Sequence, residues 1–100
     1  MKFYHRTSKS NARKIIKSGF KDMTGKFMTS CRNKGVWISD VPLDSNEGAI
    51  GEVIFELNIP EQIVCPYEWV EDDKPYREFL VPADILNAYK IRIMKDDSVP

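Results

Sequence analysis

Tyr76-Arg77-Glu78-Phe79-Leu80-Val81-Pro82-Ala83-Asp84-Ile85-Leu86, followed by Tyr89-Lys90-Ile91-Arg92-Ile93-Met94, is the stretch on which the fold turns. Tyr76 to Val81 is rich in aromatic and branched residues and reads as a strand. Pro82 suits the first position of a helical turn, where the amide proton it lacks has no partner anyway. A short helix is therefore expected over about 82–87, with a final strand from Tyr89 to Met94. One residue stands out. Glu78 shares a strand face with Tyr76 and Leu80, while Arg77, Phe79 and Val81 share the other. A carboxylate on an apolar face must be paired, protonated or at the edge of a cleft.

Working back toward the N-terminus, Glu52 to Ile59 is a core strand stopped by Pro60. Val53, Phe55, Leu57 and Ile59 give it one continuous apolar face. Ile63 to Val70 is expected to be extended, with Pro66 marking an edge or a break. Glu71-Asp72-Asp73-Lys74-Pro75 reads as a solvated turn. Gly35-Val36-Trp37-Ile38-Ser39-Asp40 holds a short strand over 36–39, and Asp40 to Glu47 is a turn-rich loop. Residues 21–34 read as a loop with a short extended piece at Phe27-Met28.

The chain opens with a strand over 2–6. Phe3, His5 and Thr7 lie on one face, and Lys2, Tyr4 and Arg6 on the other. Ser8 or Ser10 can then cap a helix in which Ala12, Ile15 and Ile16 recur at helical spacing. Lys17 falls in its last turn and Gly19 just beyond it, which makes this the principal helix, about 10–18. Strands following strands, with one or two helices, describe an α+β domain rather than an alternating parallel one. A single domain over 1–100 is expected, with a frayed tail at 95–100.

At 100 residues the chain buries roughly 65% of its unfolded surface, enough for one core. No apolar run reaches the roughly 20 residues of a membrane helix, and the start has no secretory signal pattern, so a cytoplasmic location is the default. Cys31 and Cys65 form no metal-binding spacing and read as free thiols, though a single disulfide stays open. The zero net charge conceals an asymmetry: residues 1–36 carry ten Lys and Arg against Asp22 alone. Such a basic third suggests an anionic partner, a nucleotide or a nucleic acid, unless the acidic remainder packs against it and neutralises it.

Three pieces together carry a resemblance: His5-Arg6-Thr7 leading into a helix, then Gly35-Val36-Trp37-Ile38-Ser39-Asp40, then Tyr76 to Met94 with its strand glutamate. Their order resembles the ADP-ribosyltransferase fold, as in poly(ADP-ribose) polymerases and RNA 2′-phosphotransferases. The resemblance implies two packed, mainly antiparallel sheets and the use of NAD as substrate, with ADP-ribose transferred and nicotinamide released. It assigns Glu78 as the catalytic carboxylate facing the nicotinamide ribose. His5 would bond a ribose hydroxyl, and the backbone at Arg6 would hold the carboxamide. Thr7 completes the first motif, Trp37 would line the nicotinamide pocket, and Ser39 is a candidate donor to the carboxamide. His5 and Glu78 are then expected to open into a shared cleft.

Each residue also has a packing reading. His5 fits a half-buried strand histidine, Trp37 a core side chain, Ser39 a turn-closing hydroxyl, and Glu78 a partner for an arginine. Two other functions stay open: a non-catalytic nucleotide- or nucleic-acid-binding module, and an RNA 2′-phosphotransferase-like enzyme. A nucleic acid would use the basic residues of 1–36 and fall away with added salt.

Overall fold

The computed structural model of the chain describes residues 1–26, 32–42, 51–70 and 74–94. Strand β1 (Lys2–Thr7) leads into helix α1 (Lys9–Ser18), and the junction follows from Ser8. The Ser8 hydroxyl accepts the Asn11 amide across 3.2 Å, satisfying one amide that the first helical turn leaves open. The helix ends at Gly19, whose amide makes the last helical bond to the Ile15 carbonyl at 2.7 Å and whose φ of 82° then turns the chain away. Both ends lie within a residue or two of the sequence reading.

Strands β2 (Met23–Lys26) and β3 (Arg32–Ser39) pair antiparallel, so most of the described part of the expected loop over 21–34 is strand. Phe27-Met28 lies outside the described residues, as do most of the 40–47 loop, the acids at 71–73 and the 95–100 tail. Further on come β4 (Val53–Asn58), α2 (Glu61–Val64) with a 3-10 turn at Cys65–Tyr67, and β5 (Glu68–Trp69). Ile63 to Val70 is thus mostly helical rather than extended. Pro60 and Pro66 both sit where a proline opens a helical turn, and that preference outweighs the β-branched residues between them. The chain then forms β6 (Glu78–Val81), α3 (Ala83–Leu86) and β7 (Ile91–Met94) as expected.

These strands form one antiparallel path in the order β5-β6-β3-β1-β4-β7, with β2 pairing on β3. The expectation of two packed sheets is corrected here, because β1 bonds to both β3 and β4 and joins the halves. The join is narrow. Among the described residues β1 and β4 pair over six positions, whereas β1 and β3 share only Tyr4↔Ser39.

Opposed residues in antiparallel strands point to the same face, so the registers sort the side chains. One face carries Phe3, Phe55, Leu57, Ile38, Phe79 and Val81, all buried, and α1 packs there through Ala12 and Ile15. The rings of Phe3 and Phe79 meet edge to face at 5.1 Å. On the other face one row crosses all six strands of the path: Trp69, Glu78, Ser39, Tyr4, Glu56 and Arg92.

Arg77 clamps the β5 edge. Its guanidinium forks onto Glu68 at 2.8 and 2.9 Å, reaches Glu61, and lies over the Phe79 ring. Its backbone amide donates to Asp40 at 2.9 Å. The bidentate bond from Arg77 holds the Glu68 carboxyl below the usual carboxylate range.

Candidate functional site

The site is built on the seam between β1 and β3. Past Tyr4↔Ser39 the regular ladder stops, and the Trp37 carbonyl takes the His5 imidazole instead, with Nδ1 at 2.7 Å. A nitrogen facing a carbonyl oxygen must carry the proton, so Nδ1 donates and Nε2 keeps a lone pair for another donor. The ring packs edge-on against Phe20 with centroids 5.4 Å apart. Burial lowers the imidazole pKa below its ordinary value, with the Trp37 bond opposing, so His5 is neutral at pH 7.

His5 lies on the helix-covered face, beside Phe55 in register. Glu78 precedes Phe79 on β6 and therefore points to the opposite face. The two residues flank one seam from opposite sides rather than sharing one hollow, and the expected common cleft is corrected accordingly. Alternation along each strand is the reason: Phe3, His5, Ile38 and Phe79 fall on one parity, and Tyr4, Ser39 and Glu78 on the other. Thr7, buried, lies on the side of His5.

Four of the six candidates do share a face. Ser39 and Glu78 are directly opposed, Trp37 opposes Leu80 two positions along, and Arg6 lies on the same parity of β1 as Tyr4. Glu78 is half-buried and its Oε1 accepts a 2.7 Å bond from Lys74, which also lies 5.3 Å from the centre of the Tyr76 ring. Lysine thus fills the place that the packing reading gave to an arginine, since Arg77 is held by Glu61 and Glu68. Ser39 is buried and donates to the Val41 carbonyl at 2.6 Å, closing the turn, so its proton is not available to a carboxamide here. Arg6 reaches away from the row to the Gly51 carbonyl at 2.9 Å.

Sequence reasoning missed Trp69 and Lys74. Trp69 opposes Glu78 on β5 and sets its ring edge-on to Trp37, centroids 5.5 Å apart. The face therefore presents a carboxylate flanked by two indoles and an ammonium group. The signal was Glu68-Trp69 within a stretch read as one extended piece, where strand parity opposite Glu78 was invisible.

On the helix side a cleft of about 510 Å³ opens between α1 and the seam. Its inner wall is His5, Thr7, Phe20 and Val36, all buried or half-buried, and the exposed Lys14, Lys17 and Lys21 stand at its mouth. Phe20 is fixed by Asn87, whose side chain accepts the Phe20 amide at 2.7 Å and donates to its carbonyl at 3.0 Å. Asp22 is engaged in capping α3 through the Ala83 amide. No protein-family model, no curated protein and no solved structure matches the chain.

Proposed function

We propose that the protein binds NAD on the Glu78 face of the sheet, beside the β1–β3 seam, and transfers its ADP-ribosyl group with release of nicotinamide. The observation that carries this reading is the half-buried Glu78 carboxylate set in one row with Ser39 and Trp69, beside Trp37, where the β1–β3 ladder ends.

In the reaction, departure of nicotinamide leaves positive charge on the ribose. A carboxylate fixed beforehand at that carbon stabilises the charge as it grows, and it accepts a hydrogen bond from the ribose 2′-hydroxyl or the incoming nucleophile. The ammonium of Lys74 already sits on Glu78 as a cation would, and it has to turn aside as the cationic nicotinamide ring arrives. The indoles of Trp37 and Trp69 supply apolar surface for a flat ring. At the seam, the backbone at Arg6 supplies amide and carbonyl groups of the kind a carboxamide pairs with.

The test is nicotinamide release from NAD by the full chain and by Glu78→Gln. The reading expects release by the wild type and a loss of about 10²–10³-fold in the variant, with unchanged circular dichroism. Equal release by both proteins, or NAD binding with no release by the wild type, would overturn it. Release that requires a 2′-phosphorylated RNA selects the RNA 2′-phosphotransferase form of the same reading.

A further inference from the structure

We propose that α1 and the cleft beside it form a binding site for single-stranded nucleic acid, with phosphates along the helix and one nucleotide entering the cleft. This goes beyond the NAD reading and does not depend on it.

The argument begins with charge that the fold leaves unneutralised. Residues 9–21 contain Lys9, Arg13, Lys14, Lys17 and Lys21 and no acid. All five side chains are exposed, and among the described residues none is ion-paired. Three cations elsewhere are ion-paired: Lys2 meets Glu56, Lys74 meets Glu78, and Arg77 meets Glu61 and Glu68. Glu52 approaches Lys9 only through its backbone amide. Among the described residues, therefore, no acid is ion-paired to the helix, and a basic surface of this density attracts a polyanion.

Shape then chooses among polyanions. Lys9, Arg13 and Lys17 repeat at intervals of four along about 12 Å of helix, a length served by several successive phosphates rather than one. Lys14, Lys17 and Lys21 stand beside the 510 Å³ cleft, whose wall is largely apolar, with Asn11, Ser18 and Asp22 as polar groups near its mouth, Asp22 accepting the Ala83 amide. A base held in a duplex cannot enter such a recess, whereas an unstacked base can. A membrane surface fits poorly. The apolar side of α1, Ala12 and Ile15, is turned into the core, which leaves Ile16 as the one bulky apolar side chain it exposes.

The experiment measures fluorescence anisotropy of a labelled single strand of about 12 nucleotides titrated with the full chain between about 50 and 200 mM salt. Contacts from three to five cations predict a slope of log affinity on log salt of about −2 to −3.5. The variant Lys14→Ala/Lys17→Ala/Lys21→Ala, all at exposed positions, is expected to bind at least about tenfold more weakly and with a slope shallower by about 2, with unchanged circular dichroism. Lys2→Ala, already paired with Glu56, is expected to bind as the wild type does. No binding at the lowest salt, a triple variant that binds like the wild type, or equal binding of a duplex or of polyglutamate would overturn the proposal. Oligonucleotide binding without nicotinamide release sinks the NAD reading alone, and the reverse result sinks this one alone.

Discussion

His5 donates from Nδ1 to the Trp37 carbonyl across 2.7 Å, one residue beyond the single register pair that joins β1 to β3. A side chain thus closes what a backbone amide closes elsewhere in the sheet. The consequence is a sheet whose two halves share a narrow join, with a neutral imidazole as its plug and different chemistry on either side.

Stability depends on pH in two separate windows, one set by the His5 plug and one by the Glu68–Arg77 pair at the β5 edge. His5 has a folded pKa below its ordinary 6.5, so the unfolded chain takes up the proton first. Its contribution is complete above about pH 6.5 and is lost as pH falls from there toward the folded value. Glu68, also lowered, contributes fully above its ordinary 4.5 and loses that contribution as pH falls through its folded value. Thermal melts from pH 8 to 3 check this: His5→Asn is expected to flatten the upper window alone, and Glu68→Gln the lower one alone.

Asn87 joins α3 to the segment after α1 through two hydrogen bonds to the Phe20 backbone. Asn87→Ala removes both and leaves a part-buried amide and carbonyl without partners. A loss of about 1–3 kcal/mol is expected in denaturant titrations. Since Phe20 walls the cleft and packs on His5, the same variant is expected to weaken oligonucleotide binding.

Gly51 crosses β1 so closely that a Cβ there would lie 2.1 Å from the Thr7 carbonyl oxygen, with φ at +132°. Neither the contact nor the backbone angle accommodates a side chain. Gly51→Ala is expected to cost about 2 kcal/mol or more by strain, and to displace the Gly51 carbonyl from Arg6. Chemical denaturation reads the first effect.

Much of this was legible beforehand. The parity of β1, the cap at Ser8, the stop at Gly19 and the strand–helix–strand at the C-terminal end follow from residue types whose local preference and tertiary role agree. The 61–69 stretch was not legible, because two prolines at helix-opening positions compete with branched residues that favour extension. The partners of Glu78 were also hidden. Lys74 is near in sequence but sits in an irregular segment without a period, and Trp69 reaches the carboxylate only through pairing of a two-residue strand. Whether His5 and Glu78 share a face depends on the β1–β3–β6 register, which no single segment encodes.

Trp69 offers a check on the carboxylate face that leaves the carboxylate itself intact. If its indole walls the nicotinamide beside Trp37, Trp69→Ala is expected to raise KM for NAD by about tenfold with kcat changed much less, the pattern of lost uniform binding. A fall in kcat with KM unchanged would place Trp69 in the chemistry instead.

The most direct measurement is a crystal structure of the chain soaked with NAD. The account predicts an ordered nicotinamide ring against Trp37, its carboxamide on the β1 backbone at the seam, and its ribose within hydrogen-bonding distance of Glu78 after Lys74 has moved. Nicotinamide bound elsewhere, with Lys74 still seated on Glu78, would contradict it.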